Sequence, residues 1–374
     1  MAQRKGRASS QNDDRPVVTV LGPGQMGLVC AGLLAAGGTG PVPTDVEPSG
    51  GRPLCRPVRV KLWGHDDVEL GRLSQTRKSP RLEGFRLPDE VEVVLRDDAA
   101  VADASLIVSA IPVQYIRDVW TRLSPHVPAG AGVLSVAKGI ENMTLLRPTQ
   151  VVSDVLRQTG KDNPDARPRR YACLSGPTIA AELSRCLPAA MIAASDDLAF
   201  AREVQCLFGN SWMRIYTNPD MLGVELAGAV KNVIAIAAGI VDGLQAGNNA
   251  KSALLARGLA EIARLGLAMG AQHDTFFGIA GVGDLATTCF SPEGRNRSCG
   301  EALGKGVKLA DYLRTSPYVV EGVATTKSVM ELARKYRVDM PITSAVHAVL
   351  FEGMDPIEAI GQLMAREMKA EKVG

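Results

Sequence analysis

The sequence lacks the patterns that mark disulfide frameworks and metal sites. Its seven cysteines contain no CxxC pair, their number is odd and their spacings are irregular. Such cysteines are typical of reduced thiols in a cytosolic protein. The four histidines are scattered without an HxxxH pair, so we expect no metal site.

A strong charge imbalance and an obvious leader are also missing. The net charge is +2, which gives no indication of a nucleic-acid or membrane partner. Residues 1–15 contain no apolar core, unlike a secretory signal, and we expect a disordered tail. The most apolar run, 221–244, is interrupted by polar residues, and we expect it to fall short of membrane-spanning length. These features predict a soluble, cytoplasmic protein without membrane insertion.

Length and patterning predict two domains in the 374 residues. Up to residue 218, apolar β-rich segments alternate with helical patterns, which is typical of a parallel sheet with crossover helices. Beyond residue 218 the patterns predict only helices. We therefore expect an α/β fold, with a mostly parallel sheet domain over 16–218 followed by an all-helical C-terminal domain over 219–374. The predicted strands lie within 16–27, 58–63, 105–112, 131–139, 171–176, 189–195 and 212–217, and the predicted helices cover 219–244, 250–270, 282–289, 298–304, 323–336, 342–351 and 355–369.

One segment, 38–57, interrupts this alternation. It holds five prolines and four glycines between the first helix and the second strand, where connections usually take roughly 2–6 residues. We expect an inserted surface loop that lies away from the reacting end of the site.

Gly22, Gly24 and Gly27 form a GxGxxG pattern between a predicted strand and a predicted helix. Such glycines let a pyrophosphate approach the backbone at a helix N-terminus, although a turn without a ligand has the same composition. His65 and Asp66 follow the second strand and are candidates beside the adenosine ribose, unless His65 is simply an exposed loop residue. An acid here would favour NAD over NADP, because it would repel a 2′-phosphate. The loop before the strand leaves open which residue lies beside the ribose.

Two further segments end strands at the edge where open α/β sheets bind ligands. Lys138 follows the predicted strand within 131–139, and an exposed loop lysine is the alternative. The SGPT segment at 175–178 ends a strand and opens a helix, with helix initiation as its plain alternative.

Lys231 lies in the middle of the predicted helix over 219–244. On a helical wheel it shares an arc of roughly 120° with small and polar residues, while aliphatic residues occupy the opposite side. A solvated face is seldom lined with Gly and Ala, so this arc is expected to face a site. Burial lowers the pKa of a lysine, which suits proton transfer. The arc consists of Glu225, Gly228, Lys231, Asn232, Ala235, Gly239 and Asp242.

Two polar segments in the predicted helical domain complete the candidates. Asp284 follows a Gly-rich turn, where a helix N-cap is the commoner role of aspartate. The GRNRS segment at 294–298 carries arginines that suit a phosphate, because guanidinium binds phosphate as a fork. A solvated basic turn is the alternative.

The order and spacing of these motifs resemble bacterial-type NAD(P)-dependent glycerol-3-phosphate dehydrogenases over about residues 16–368. The similarity rests on LWGHD, SGPTIAAEL, GAVKNVIAIAAGIVDGL, NNAKSALLARGLAEIARLG, AGVGDLATTC, GRNRS, VVEG and MPIT. It implies a Rossmann-like domain followed by a helical domain, an expected homodimer, and a cytoplasmic enzyme. The implied reaction interconverts dihydroxyacetone phosphate and sn-glycerol 3-phosphate with NAD or NADP and feeds phospholipid synthesis.

The resemblance also implies roles for individual residues. Lys231, Asp284 and Lys138 correspond to catalytic positions. The implied cofactor contacts are Gly22, Gly24, Gln25, Met26, Gly27, His65, Asp66, Lys138, Ala180, Arg295, Val319 and Glu321. The implied substrate contacts are Lys138, Gly176, Thr178, Lys231, Asn232, Asp284, Gly294, Arg295 and Asn296.

The sequence departs from the family pattern at Pro23, where Ala is common, and at Ala137, where Thr commonly precedes the lysine. These departures and the loop 38–57 bear on cofactor preference. Two other functions stay open: a related two-domain dehydrogenase of another hydroxy acid, and a dinucleotide-binding sensor without turnover.

Overall fold

The computed structural model describes residues 14–37, 57–162, 168–316, 318–367 and 370. The expected tail over 1–15 and the expected loop over 38–57 lie outside the described residues, apart from residues 14, 15 and 57.

Within these residues the first half of the chain forms one eight-stranded sheet in the order β3-β2-β1-β4-β5-β6-β7-β8. The first six strands run parallel, whereas β7 pairs antiparallel with β6 and parallel with β8. All seven predicted strands are present. The short edge strand β3 was not predicted, because only four residues belong to it and one of them is exposed. The strands are β1 Val17–Leu21, β2 Arg59–Trp63, β3 Val91–Val94, β4 Ala104–Ser109, β5 Gly132–Ser135, β6 Tyr171–Ser175, β7 Ala189–Ala194 and β8 Met213–Asn218.

Helices cover both faces of the sheet and create two hydrophobic cores. One core packs α1 and α7 against one face, with Leu28 and Phe200 fully buried. The other packs α4 and α5 against the opposite face, around Trp120 and Val151. Burial on both faces explains why the strands read as continuous apolar runs. The helices are α1 Gln25–Ala35, α2 Asp67–Thr76, α3 Asp97–Val101, α4 Val113–Leu123, α5 Pro148–Gln158, α6 Ala180–Leu183 and α7 Leu198–Phe208.

The described residues after β8 are helical, as predicted. Two short helices, α10 and α13, were not predicted, because five and seven residues are too few to show a clear period. The helices are α8 Met221–Gly243, α9 Gly247–Ala268, α10 His273–Phe277, α11 Asp284–Phe290, α12 Arg295–Gly304, α13 Leu309–Thr315, α14 Glu321–Tyr336, α15 Pro341–His347 and α16 Pro356–Met364. Five-residue π-helical turns occupy Ile279–Gly283 and Ala348–Glu352.

Helix α8 forms the centre of the helical half. With 23 residues it is long and apolar enough to cross a membrane, so the expectation based on its length was wrong. Its most apolar stretch is nevertheless completely buried within the protein. Protein surrounds the helix on every side, and its aliphatic side chains, such as Val233 and Ile234, form part of the core of this half.

Small residues on α8 and α12 let the two helices pack backbone to backbone. A Cβ atom added at Gly239 would lie 1.9 Å from the carbonyl oxygen of Arg297, and one added at Gly300 would lie 2.0 Å from that of Ile236. Part of the Gly-rich arc of α8 therefore serves helix packing. Glu225, on the same arc, accepts hydrogen bonds from Arg147 and Thr149 and connects α8 to the start of α5.

We predict that Gly300→Ala destabilises the protein, because the new methyl group can only be accommodated by moving one helix backbone. The expected loss in the free energy of unfolding is about 1–3 kcal/mol, measured by urea denaturation. Gly71→Ala is the matched control: Gly71 lies in α2, and no described atom lies within 4 Å of its added Cβ. That change should leave stability equal or higher by up to about 1 kcal/mol. Equal stability of the two variants would contradict the close packing of α8 and α12.

Candidate active site

A cavity of about 940 Å³ opens where β1, β2, β4 and β5 end, between the sheet and the helical half. This is the edge at which open α/β sheets bind ligands. The residues predicted for a site converge on it from eight separate parts of the chain. Those that line the cavity are Gly22, Gly24, Gln25, Met26, His65, Lys138, Thr178, Ala180, Lys231, Asn232, Asp284, Gly294, Arg295, Asn296, Val319 and Glu321.

The Gly-rich turn brings the N-terminus of α1 to the cavity. Gly22 has a φ of 105°, and a Cβ there would lie 2.8 Å from the carbonyl oxygen of Ala110; at Gly27 a Cβ would lie 1.8 Å from that of Gly22. Gly24 is the N-cap, and among the described residues no side chain caps α1 and no acid lies in its first turn. The first N–H groups of α1 are thus open to an anion, so the turn fits the pyrophosphate of a dinucleotide.

Asp284 lies between two lysines in the wall of the cavity. Its Oδ1 accepts a hydrogen bond of 2.7 Å from Lys231 Nζ, and its Oδ2 accepts one of 2.7 Å from Lys138 Nζ. The aspartate side chain is 1% exposed and the Lys231 side chain 7% exposed. The alternative of a helix N-cap does not apply, because both carboxylate oxygens bind ammonium groups.

Lys138 is held by three hydrogen bonds, which rules out the alternative of an exposed loop lysine. Besides Asp284, its Nζ donates to the carbonyl oxygen of Gly176 at 2.8 Å and to Oγ1 of Thr178 at 3.2 Å. The pKa of Lys138 is lowered to about 8: burial is the main cause, the charge of Asp284 opposes it, and the nearby charge of Lys231 adds to it. This ammonium group can therefore lose its proton within reach of neutral pH.

Local backbone structure fixes Asp284 in place. The residue starts α11 directly after the π-helical turn Ile279–Gly283. A Cβ atom at Gly281 would lie 1.9 Å from the carbonyl oxygen of Phe276, so the turn closes only with glycine there. One helical turn later, Thr288 accepts a hydrogen bond from Lys231 Nζ. Sequence reasoning missed Thr288, although its spacing of four residues from Asp284 was a usable signal.

Amide side chains connect the two halves beside the lysines. Asn232 Nδ2 donates to the carbonyl oxygen of Lys138 at 3.2 Å, and Asn232 Oδ1 accepts from Asn296 Nδ2 at 2.9 Å. Asn296 Oδ1 in turn accepts from the backbone N–H of Gly322 at 2.9 Å. These bonds fix the N-terminus of α12 at the cavity, where the N-cap is Gly294. In the described part of the chain no side chain caps this helix either, and its first turn holds no acid.

Arg295 and Glu321 lie on the same wall of the cavity. Arg295 Nη1 donates a long hydrogen bond of 3.5 Å to the carbonyl oxygen of Val319. Glu321 is half-buried, and burial raises its pKa to about 7, while the positive charges of Arg295 and Lys138 act to lower it. The protonation of Glu321 is therefore sensitive to pH near neutrality.

Three predicted residues do not line the cavity. Gly27 packs behind the turn, and Gly176 contributes its carbonyl oxygen to Lys138. Asp66 is the N-cap of α2, where its carboxylate accepts from the backbone N–H groups of Val68 and Glu69. Both bonds end on Oδ1, and the contact of Asp66 with a ribose stays a prediction.

Several side chains that line the cavity were not predicted. They include charged and aromatic groups near the end of β2, which have no recognisable spacing in the sequence. Pro23, one of the departures from the family pattern, also lines it, and a Cβ atom at Gly64 would lie 2.7 Å from the Pro23 ring. The unpredicted lining residues near β2 are Trp63, Glu69, Arg81, Tyr115, Asp118 and Arg122.

Both halves of the chain match the sequence models of one protein family. Residues 17–201 match the sequence model of the NAD-dependent glycerol-3-phosphate dehydrogenase N-terminus, and residues 220–361 match that of the C-terminus. The chain is 43% identical to the NAD(P)+ glycerol-3-phosphate dehydrogenase of Pelotomaculum thermopropionicum, over 82% of this chain and 86% of that protein. It is 40% identical to the second such protein of Lactobacillus delbrueckii subsp. bulgaricus, over 95% of this chain and 98% of that one.

A solved structure has the same architecture. The crystal structure of glycerol-3-phosphate dehydrogenase from Coxiella burnetii superposes with a TM-score of 0.83 at 31% identity, covering 94% of this chain and 99% of that chain. The fold of the chain therefore agrees with the sequence matches. The chain belongs to the NAD-dependent glycerol-3-phosphate dehydrogenase family.

Proposed function

We propose that this protein is an NAD(P)-dependent oxidoreductase that interconverts dihydroxyacetone phosphate and sn-glycerol 3-phosphate. The observation that carries the proposal is the Lys138–Asp284–Lys231 cluster, which shares one cavity with the open N-terminus of α1. The first feature can move and stabilise a proton, and the second can hold a pyrophosphate. A sensor without turnover would not require two buried lysines on one carboxylate.

The residues of the Gly-rich turn would hold the dinucleotide. Gly22 and Gly24 admit the pyrophosphate to the first N–H groups of α1. Gln25, Met26, His65, Ala180, Val319 and Glu321 line the adjoining walls and are the further proposed contacts. When bound, the nicotinamide supplies or accepts a hydride at C2 of the substrate.

The lysines would handle the proton in this reaction. During reduction, Lys231 Nζ donates a hydrogen bond to the C2 oxygen and then transfers its proton, so that an N–H bond breaks and an O–H bond forms. Asp284 orients this amine and balances its charge. Lys138 adds a second positive charge beside the developing alkoxide, where preorganised charges are most effective. In oxidation Lys231 accepts the proton back.

The N-terminus of α12 would bind the substrate phosphate. Its first N–H groups face the cavity, and Arg295 supplies a cation beside them. The amide of Asn296 already bonds to Asn232 and Gly322. We therefore assign the phosphate contact of Asn296 to its backbone N–H. Gly294 permits close approach, and Gly176 and Thr178 act through Lys138.

Four further assignments belong to the proposal. We infer a domain boundary near residue 218, between β8 and α8, with the dinucleotide-binding domain over 16–218 and the substrate domain over 219–374. We also infer a homodimer, a cytoplasmic location and a role in supplying glycerol 3-phosphate for phospholipid synthesis. These rest on family membership. Among the described residues no cluster of three or more His, Cys, Asp or Glu could hold a metal ion, and the proposed chemistry needs none.

The substrate assignment predicts that Arg295→Ala weakens catalysis only when the substrate carries a phosphate. Loss of one charge-assisted contact should lower kcat/KM for dihydroxyacetone phosphate by an amount equivalent to about 1.5–3 kcal/mol. The same variant should leave the slow reduction of dihydroxyacetone unchanged. The measurement is NADH and NADPH oxidation followed at 340 nm, with both substrates and both enzymes.

Arg314→Ala provides a matched control, because Arg314 is an exposed arginine of the same half whose guanidinium pairs with Asp311. It should not change either rate. Absence of any reaction with dihydroxyacetone phosphate would contradict the proposed function, and an equal loss with both substrates would contradict the phosphate contact of Arg295. A preference for a hydroxy acid without phosphate would favour the related dehydrogenase instead.

The lowered pKa of Lys138 predicts a pH dependence of the reduction. Below about pH 8 the amine is protonated and helps to stabilise the alkoxide; above it the charge is lost. We expect kcat/KM to fall by about tenfold per pH unit on this alkaline limb. In Lys138→Arg, whose guanidinium keeps its proton, the alkaline limb should move to higher pH, while any acidic limb from Glu321 stays in place. An alkaline limb at the same pH in both enzymes would show that another group causes it.

A further inference from the structure

The proposed function leaves the choice between NAD(H) and NADP(H) open. We propose that this chain prefers NAD(H), and that Glu69 sets the preference by holding Arg81 in an ion pair at the ribose end of the cavity. This inference rests on the proposed dinucleotide site. It concerns the residues that face the 2′ position, where the two cofactors differ by one phosphate.

The end of β2 locates this part of the site. In sheets of this topology the adenosine ribose lies at the carboxyl end of the second strand. Here Trp63, Gly64 and His65 end β2 and line the cavity, followed by Glu69 in the first turn of α2. Arg81 lies against Glu69 and also lines the cavity.

Arg81 is the residue that would otherwise attract a 2′-phosphate. Its Nε donates to Glu69 Oε1 at 2.5 Å and its Nη2 donates to Glu69 Oε2 at 2.9 Å. This bidentate pair uses the edge of the guanidinium that binds phosphate best. Nη1 can still donate to a hydroxyl, but the pair carries no net charge and gives a dianion no ionic attraction.

The second arginine at this end is neutralised in the same way. Arg122 Nε and Nη2 donate to the two carboxylate oxygens of Asp97 at 2.5 and 2.8 Å, and its guanidinium lies over the Trp63 ring. Asp118, on the same helix as Arg122, also lines the cavity. A bound 2′-phosphate would therefore face carboxylates and paired arginines.

Comparison of three helix N-termini supports the same preference. In the described structure, α1 and α12 begin at the cavity without side-chain caps and without acids in their first turns. Helix α2 is different: Asp66 caps it, and Asp67 and Glu69 lie in its first turn. Its positive end is already occupied by carboxylates. The N-termini of α1 and α12 are thus available for the pyrophosphate of NAD and the phosphate of the substrate. The acidic N-terminus of α2, beside the ribose, repels a 2′-phosphate.

Isothermal titration calorimetry of the full-length protein with NAD+ and NADP+, without a carbonyl substrate, tests this inference. We expect the Kd of NAD+ to be at least about tenfold lower than that of NADP+. Glu69→Gln releases Arg81 and should lower the Kd of NADP+ relative to that of NAD+ by about tenfold. Arg81→Ala should not gain NADP+ binding, and combining it with Glu69→Gln should abolish the gain.

Glu92→Gln is the matched control, since it removes a carboxylate that pairs with Arg59 on the same sheet and does not line the cavity. It should leave both Kd values unchanged. Equal or tighter binding of NADP+ by the unmodified protein would overturn the inference, as would an unchanged ratio in a folded Glu69→Gln variant. Both readouts need no turnover, so a failure of the proposed reaction is distinguishable from a failure of the cofactor preference.

Discussion

The carboxylate of Asp284 joins two ammonium groups that come from different halves of the chain. Lys138 follows β5 of the sheet, Lys231 lies in α8, and Asp284 begins α11 after a turn that requires glycine. Burying charge is costly unless each group is paired and hydrogen-bonded. The cluster meets this condition with one net positive charge left over. That excess charge lies where the proposed reaction develops an alkoxide, so one arrangement holds the halves together and serves the chemistry.

Charge also determines which group of a ligand each other part of the cavity can bind. Open helix N-termini at Gly24 and Gly294 offer N–H groups to phosphates. At the ribose end, Glu69 and Asp66 occupy the positions from which a phosphate would otherwise be held. Charge pairing within the protein therefore determines which parts of the cavity attract an anion. Closely similar cavities with one pairing changed could select a different cofactor.

Much of this arrangement could be predicted from the sequence. The alternation of β-rich and helical segments predicted seven of the eight strands. The Gly-Ala arc around Lys231 predicted that this lysine faces a site and not solvent. Short elements such as β3 and α13 escaped prediction because a few residues show no period. The environment of Lys138 also could not be predicted, because its partners at Gly176 and Asp284 lie far along the chain. The same holds for Arg81 and Glu69, whose pairing depends on an irregular segment between them.

We infer that Lys231 handles the substrate proton with Asp284 as its orienting partner, while the dinucleotide is held elsewhere. The most direct measurement is turnover of dihydroxyacetone phosphate by Lys231→Ala, combined with calorimetric binding of NAD+ to the same variant. Lys335→Ala, at an exposed position of α14, is the control. We expect a loss in kcat of about 10²–10⁴-fold with NAD+ binding close to that of the unmodified protein. Near-normal kcat in a folded Lys231→Ala variant would contradict it.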